Sequence, residues 1–453
     1  MKKSLLAVAA MTAFAGAAQA QSSVTVYGIL DVGYVGSSYS GTAVTAPTTG
    51  PGVIVADAAG QSHKATMNAF GASAESTSRL GFKGTEDLGG GNQALFTIEM
   101  GINPMGNGTA GTSSSGQIAW NRQTFAGLHK NGIGAVTVGT QYTPMFDVAS
   151  ITDAAGQNNM VGNAIYSGSL QSTTGTFNPG VAAWGGAPSA TNTAGFTANN
   201  GGYNTRATNA LLFASDRMYG VKAELMYAMA SSTATETGGT NFNNTTGGPN
   251  NNTMTGISLD YTWNKLQAVG AYSQFKSYDA AIGGAQTAGA IVVANGTPGS
   301  LSGAAFGQNA LDNQYYLAAT YDFGIAKGYL QYATRNVASQ IDSSYKSKRN
   351  AEQIGVKSQL TPTISAFATY GMGTATLYGQ NMPNSNFRTM QIGTDYYLSK
   401  RTNLYAIYGA YNQSSNGLAG TQTNADATTQ AALRAGQTGT SGANYALGLR
   451  HTF

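Results

Sequence analysis

Short segments in which apolar residues alternate with small or polar ones recur along this 453-residue chain, and they constrain its fold more than any other feature. In residues 24–34 the even positions are mostly apolar, whereas the odd positions include Thr25, Asp31 and Gly33. Successive side chains of a strand point to opposite faces, so this period of two predicts strands with one apolar face. The period recurs in residues 257–263, 314–323, 353–360 and 445–453.

The connections between these segments alternate strictly between short and long. Seven short ones carry Gly, Asn, Asp or Pro where a tight turn needs them, at Glu86–Asn92, His129–Gly132, Ser215–Met218, Asn264–Lys265, Asp322–Ala326, Thr361–Pro362 and Ser399–Arg401. Eight long ones, rich in Gly, Ser, Thr and Asn, lie near 37–76, 102–117, 143–204, 230–253, 277–310, 338–348, 375–386 and 414–442. Seven plus eight connections join sixteen strands, with both chain ends at the short-turn end. The two longest loops could hide a hairpin, which leaves counts of about 14 or 18 open.

An even number of strands, with short turns at one end and long loops at the other, is typical of bacterial outer-membrane barrels. In lipid every backbone polar group needs a partner within the protein, and a closed barrel supplies one without free edges. Charged residues make up only 9% of the chain, against about 25% in soluble domains. We therefore predict an all-β fold, a transmembrane antiparallel β-barrel of sixteen strands with short periplasmic turns and long outer loops. A barrel of about this size leaves an aqueous channel.

The first twenty residues have the pattern of a secretory signal peptide. Lys2 and Lys3 precede an apolar stretch, and Ala18-Gln19-Ala20 matches a cleavage site. We predict cleavage after Ala20, a barrel domain over residues 21–453 and export to the outer membrane. Beyond Ala20 the sequence has no run of about 18 apolar residues, so no transmembrane helix is expected.

Composition narrows the possible functions. The chain has no cysteine, which excludes disulfides, thiol nucleophiles and zinc–thiolate sites. Its net charge of +4 is too balanced to indicate nucleic-acid binding. An enzyme on a barrel is one alternative, but His63, His129 and His451 fall in separate places and the GxSxG and HExxH motifs are absent. We expect no catalytic site, cofactor or metal.

Six segments, spread from the start of the predicted mature chain to its last residue, resemble a known family. On these segments the sequence resembles the general trimeric porins of β-proteobacteria, the type found in Burkholderia- and Bordetella-like organisms. They are QSSVTVYGILDVG (21–33), STSRLGFKGTEDLGGGNQALFTIE (76–99), NRQTFAGL (121–128), ATYDFGIAKGYLQY (319–332), YYLSKRTNLYAIYGAY (396–411) and YALGLRHTF (445–453).

The resemblance implies a passive, water-filled channel for ions and small hydrophilic solutes in the outer membrane of a Gram-negative bacterium. It implies a homotrimer, with one pore per subunit, surrounded by lipid and lipopolysaccharide. It also implies that residues 143–204, which we call loop 3, fold into the barrel and form the constriction. The C-terminal Phe453 resembles the signal that the barrel assembly machinery recognises.

Two features depart from the family pattern. Loop 3 is unusually long, and Thr140 stands where many relatives have an arginine. One basic residue near the constriction is therefore missing, which argues against strong anion selectivity.

The alternation places four charged side chains on the channel face, because their apolar neighbours then face lipid; they are Arg79, Lys83, Glu99 and Arg122. The assignment of Arg122 assumes that Phe125 faces the lipid. By the resemblance, Arg79 and Arg122 belong to a basic cluster on the wall opposite loop 3.

Two acids, Asp147 and Asp153, lie at the start of loop 3, where relatives place acidic groups. Arginines on the wall and carboxylates on the loop would create a transverse field that favours small polar solutes. The alternative is that all these charges only solvate the wall or pair within it.

Two further functions remain as alternatives. A substrate-specific channel would use aromatic side chains along the pore, and Tyr27, Tyr316, Tyr329 and Tyr397 fall on channel faces, although on scattered strands. A soluble β-sandwich that acts as an adhesin or binding protein would also show alternation, but it would not explain the regular connections and the terminal aromatic residue.

Overall fold

A computed structural model describes residues 23–42, 62–105, 119–166, 171–172, 175–176, 197–199, 203–237, 246–279, 310–339, 346–376, 385–414 and 440–453. The predicted signal peptide lies outside these ranges. Among the described residues, no helix is both long and apolar enough to cross a membrane.

The described ranges contain one helix, α1 (Pro144–Ile151), and a series of strands. The strands are β1 (Ser23–Thr42), β2 (Ser62–Ala72), β3 (Arg79–Gly89), β4 (Asn92–Ile102), β5 (Ala119–Lys130), β6 (Gly134–Tyr142), β7 (Gln171–Ser172), β8 (Gly175–Thr176), β9 (Thr197–Asn199), β10 (Asn204–Ser215), β11 (Val221–Thr237), β12 (Thr246–Trp263), β13 (Leu266–Asp279), β14 (Ala310–Asp322), β15 (Lys327–Ser339), β16 (Lys346–Thr361), β17 (Ile364–Thr376), β18 (Ser385–Ser399), β19 (Thr402–Gln413) and β20 (Thr440–Thr452).

Eighteen of these strands form one antiparallel sheet that closes when β20 pairs with β1, with Leu30 opposite His451. β2 and β3 fill a single barrel position, because the second half of β1 pairs with β2 and its first half pairs with β3. β9 is a short addition beside β10. Counting β2 and β3 as one position and leaving out β9 reduces the eighteen strands to sixteen barrel positions. This confirms the predicted sixteen-strand barrel and excludes the β-sandwich.

Each predicted short turn joins two neighbouring strands of the barrel. The Glu86–Asn92 turn needs glycine, because Gly89, Gly90 and Gly91 all have positive φ angles, between 61° and 81°. The predicted bounds of the long loops were wrong in places, since β1 continues to Thr42 and β2 lies inside the expected loop 37–76. Above the lipid both faces of a strand can meet water, so the apolar alternation disappears although the strand continues.

The two faces of the barrel wall differ as the alternation predicts. On the outer face, Leu317, Leu330 and Ile354 are each more than half exposed, as expected of a band that contacts lipid. On the inner face, Gln331 and Gln353 are almost completely buried. These amides are covered by a chain segment inside the barrel.

That segment is the first part of loop 3. Thr143 caps α1 by accepting a hydrogen bond from the Phe146 amide, and Pro144 occupies the first turn. The apolar side of α1 packs on the inner wall, where Met145 and Val148 are buried with Tyr316 in one cluster. Residues 143–166 of loop 3 thus lie against the inner wall of the barrel.

Beyond α1 the chain crosses the lumen through hydrogen bonds to successive strands. The Thr152 hydroxyl lies 2.7 Å from the Tyr316 hydroxyl, and the Ala164 amide donates to Gln353 Oε1 at 2.8 Å. Asn159 Nδ2 donates to the Ser73 carbonyl at 2.7 Å. Loop 3 is therefore fixed at both sides of the lumen.

Residues 73–78, between β2 and β3, form the second of these attachment points. The Asp31 carboxylate accepts hydrogen bonds from the Glu75 and Ser76 amides, at 2.9 and 2.6 Å, and holds this insertion against β1. The Glu75 carboxylate pairs with Arg450 on β20 at 2.5 Å. This segment overlaps the end of the long loop predicted near 37–76, for which no such attachment was predicted.

Candidate functional site at the constriction

Three arginines and one glutamate from four strands meet on the inner wall. Arg122 Nε donates to Glu99 Oε1 at 2.6 Å, and Arg79 Nη1 lies 3.9 Å from the same oxygen. Tyr27 donates its hydroxyl proton to Glu99 Oε2 at 3.1 Å. Arg206 completes the group from β10, and we call Arg79, Arg122 and Arg206 the arginine cluster. Three guanidinium groups face one carboxylate, so the site carries an excess of positive charge.

Arg122 reaches the lumen by a route that differs from the predicted one. Glu99 pairs with Gln123 while Met100 pairs with Asn121, so Arg122 is the extra residue of a β-bulge. The bulge reverses the alternation, and Phe125 lines the inside of the barrel instead of facing the lipid. The expected orientation of Phe125 was therefore wrong.

Arg206 was not among the site residues predicted from the sequence. Its guanidinium carbon lies 5.9 Å from the centre of the Tyr142 ring, and Arg122 Nη2 donates to the Tyr142 hydroxyl at 2.5 Å. Arg206 Nη1 is buried and has no hydrogen-bond partner among the described residues. One signal was available, because Arg206 is the first basic residue after Lys130 and directly follows loop 3. It supplies a third guanidinium despite the neutral residue at Thr140.

Lys83 lies beside this cluster but does not join its ion pairs. Its ammonium group is 5.4 Å from the centre of the Tyr27 ring. It lines a cavity of about 560 Å³ together with Phe125, Tyr142 and Asp147.

The two loop 3 acids lie away from the arginines. Asp147, in the first turn of α1, faces Glu224 and Lys222, which pair with each other at 2.6 Å. Burial and the negative charge of Glu224 raise the pKa of Asp147 to about 8, although Lys222 opposes this shift.

Asp153 accepts hydrogen bonds that hold loop 3 together and attach it to β16. Its carboxylate accepts hydrogen bonds from the Gln157 amide at 2.8 Å and from Asn163 Nδ2 at 2.9 Å, and from Gln353 Nε2 at 3.2 Å. Burial raises its pKa. Within the described part of the chain, Glu99 is the only carboxylate at ion-pair distance from Arg79 or Arg122. The structure thus joins Arg79, Arg122 and Glu99, and places Asp147 and Asp153 against other walls.

Two histidines of the described residues lie at the short turns, apart from the arginine cluster. In the described ranges, no group of three or more His, Asp or Glu side chains could hold a metal ion. His129 contacts Asp216 at 2.9 Å in one short turn, and His451 contacts Thr402 at 2.9 Å at another. The side chain of His63 lies outside the described residues.

Comparison with known proteins agrees with this architecture. A family model described as Gram-negative porin matches residues 7–417. An outer membrane porin protein of Bordetella pertussis is 37% identical over 145 residues, which is 31% of this chain and 34% of that protein. Outer membrane porin protein 32 of Delftia acidovorans is 46% identical over 101 residues, or 22% of each chain. The chain thus aligns with about a third or less of the length of these curated relatives.

Solved structures show the same fold. The anion-selective porin from Comamonas acidovorans superposes with a TM-score of 0.59 at 22% identity, over 96% of this chain and all of that one. OmpF of Salmonella typhi, solved with daunomycin, gives a TM-score of 0.52 at 16% identity, over 95% and 97% of the two chains. At these identities the likeness concerns the fold alone.

Proposed function

Since this chain belongs to the Gram-negative porin family, we propose that it is a passive, water-filled diffusion channel in the outer membrane. Ions and small hydrophilic solutes would cross it without a catalytic step. The sixteen-strand barrel with a partly occupied lumen supports this proposal, because barrels of about this size leave an aqueous path.

We propose further that the channel prefers small anions, and one observation carries this preference. The arginine cluster presents three guanidinium groups against the single carboxylate of Glu99. Fixed charge in a low-dielectric wall attracts mobile ions of the opposite sign and sets the selectivity of a narrow pore. The loop 3 acids do not neutralise it directly, because neither Asp147 nor Asp153 forms an ion pair with Arg79 or Arg122.

Conductance in a planar bilayer tests both proposals. Protein purified without heating should insert as ohmic channels, and a potassium chloride gradient should give a reversal potential of the sign that indicates chloride preference. A cation-selective reversal potential would contradict the role of the arginine cluster. A folded barrel that conducts no ions would contradict the diffusion channel itself.

We infer that the mature protein is a homotrimer whose subunits each contain one pore, with lipid and lipopolysaccharide around it. One solved relative, OmpT of Vibrio cholerae, is described in a trimer form. Insertion of conductance in steps of three, together with a heat-sensitive oligomer on native gels, is the expected result.

We also propose export with cleavage after Ala20, and recognition of Phe453 by the barrel assembly machinery. Phe453 is 40% exposed, and its backbone pairs with Gly28 through two hydrogen bonds of 3.0 and 3.1 Å. The last residue therefore takes part in barrel closure while its ring stays accessible. Phe453→Ala should lower the amount of folded protein in the outer membrane, whereas mass spectrometry of the mature chain tests the cleavage site.

A further inference from the structure

An apolar niche opens from the lumen on the short-turn side of the arginine cluster. It encloses about 560 Å³, and Leu95, Phe125 and Leu212 contribute much of its lining. The strand pairings put these residues on the inner face, since Thr97 pairs with Phe125 and Leu212 pairs with Thr137. These three side chains are partly exposed to the lumen, whereas apolar residues of the inner wall that loop 3 covers, such as Tyr316 and Phe367, are buried.

Glycine keeps the space beside Phe125 open. Phe125 pairs with Gly139 on β6, and Gly139 has a φ angle of 144°. A Cβ atom built on Gly139 would lie 2.1 Å from the Thr124 carbonyl oxygen, so no larger residue fits there without movement of the backbone. The face of the Phe125 ring is therefore not covered by a side chain of the adjacent strand.

Positive charge borders the niche. Tyr142 lines it, and the hydroxyl of Tyr142 accepts a hydrogen bond from Arg122 while Arg206 lies 5.9 Å from its ring centre. Lys83 lines the niche from β3. Arg206 Nη1, buried and unpaired among the described residues, offers a donor to a further acceptor. The niche thus combines an apolar floor with cationic groups at its edge.

Asp147 also lines the niche, where it faces Lys222 and Glu224 and forms no ion pair with Arg79 or Arg122. A bound anion is therefore expected to direct its charge away from α1. With the pKa of Asp147 at about 8, this carboxyl is mainly protonated at neutral pH and repels an anion little.

We propose that the niche transiently binds small aromatic monocarboxylates, with the ring against Phe125 and Leu212 and the carboxylate directed toward Arg122 and Arg206. This inference rests on the proposed diffusion channel and names a class of solute that binds transiently in its lumen. The volume accommodates one such molecule with some water, and aromatic contact and charge-assisted hydrogen bonds each add affinity that acetate or chloride cannot gain.

The test measures how benzoate reduces the chloride current through single channels. Benzoate should reduce the current in a saturable manner, whereas acetate lacks the ring and benzyl alcohol lacks the charge, so neither should do so at the same concentration. Phe125→Ala should weaken the benzoate block about fivefold, which corresponds to the loss of one aromatic contact. The reversal potential in chloride should stay unchanged.

Phe213→Ala is the matched control, because Phe213 follows Leu212 on β10 and points to the opposite face. A second variant, Ala214→Phe, fills the niche from β10 and should abolish the block. If Phe125→Ala does not fold, Ala214→Phe alone tests whether benzoate binds in the niche. A channel that conducts chloride but treats benzoate like acetate would contradict the niche and leave the diffusion channel intact. Equal loss of block in Phe125→Ala and Phe213→Ala would also contradict it, and absence of any conductance would contradict both proposals.

Discussion

The two sides of the lumen use arginine in opposite ways. On the inner face of β14–β18, which we call the covered wall, Arg335 forms two hydrogen bonds with Asp312, and Arg349 donates to the Ala164 carbonyl of loop 3 at 2.5 Å. On the inner face of β3–β6 and the start of β10, which we call the open wall, three arginines share one carboxylate. The difference indicates that each arginine of the covered wall is matched by an acceptor of the protein, whereas positive charge exceeds negative charge on the open wall.

Neutral amides complete the contrast. Gln391 Nε2 donates to the Met160 and Val161 carbonyls at 3.0 and 2.8 Å, and its Oε1 accepts from Asn158 at 3.0 Å. Gln353 binds the Ala164 amide and Asp153 in a similar way. Amides satisfy the backbone of loop 3 without adding charge, so the loop rests on the covered wall and the electrostatic field comes from the open wall.

The largest effect should follow from breaking the buried pair of the covered wall. Both side chains are almost completely buried, so Asp312→Ala leaves the Arg335 charge without its carboxylate partner. The free energy of unfolding should fall by about 3–5 kcal/mol, as measured by urea titration of the folded barrel in lipid. Asp322→Ala, at an exposed turn that Asp322 braces through the Gly324 amide, should lower it by about 1 kcal/mol. Equal losses would show that the covered-wall pair is not structural.

Removal of a charge from the open wall should change the ion selectivity, through an electrostatic free energy smaller than the stability loss above. Arg206→Gln removes one positive charge from the arginine cluster and should lower the chloride-to-potassium permeability ratio by up to about fivefold, since a unit charge at about 4 Å in water is worth about 1 kcal/mol. The reversal potential in a salt gradient measures this ratio.

Arg388→Gln is the control for this variant, because Arg388 is exposed and lies next to exposed Met390 on the outer face of β18. The reversal potential should not change. If Arg349→Gln on the covered wall shifts it as much as Arg206→Gln does, the proposed contrast between the two walls is wrong.

Weakening the attachment of loop 3 should increase the fluctuation of the current as well as lower the stability. Gln391→Ala removes three hydrogen bonds to residues 158–161, each worth about 1 kcal/mol. Single-channel noise should increase because the loop moves more, while the reversal potential stays the same. Gln274→Ala is the control, because the Gln274 amide binds Tyr272 and Asn313 and not loop 3. Its single-channel noise should equal that of the wild-type channel. If the single-channel noise of Gln391→Ala equals that of the wild-type channel, α1 alone positions the loop.

Sequence could predict the barrel because a period of two is local, and strand count follows from connections that alternate in length. It placed Arg79 on the channel face for the same reason. The position of Arg122 depends on a bulge that shifts the alternation by one residue, and the sequence does not reveal this bulge. Arg206 follows loop 3, and tertiary contacts set the path of that loop. The environment of Asp153 depends on Gln353, 200 positions further along the chain, so no local pattern could indicate that this acid braces the loop.

The smallest effect concerns pH and Asp147, which lines the niche without forming an ion pair with Arg79 or Arg122. The pKa of Asp147 is raised to about 8 by burial and by Glu224, so the carboxyl is mainly protonated at pH 7 and ionises as the pH rises through about 8. Ionisation adds one negative charge to the lumen near Lys83, which should reduce the anion preference between pH 7 and pH 9. Because the pKa in the folded state lies above that of the unfolded chain, stability falls as the pH rises from about 4 to about 8, and the loss is complete once the carboxyl has ionised.

Asp147→Asn should abolish both changes, since an amide does not titrate. Asp87→Asn, at the exposed turn after β3, is the control and should keep the pH dependence of the wild-type channel. Reversal potentials at both pH values, with the same salt gradient, measure the effect. A pH dependence that survives in Asp147→Asn would assign it to another group of the lumen.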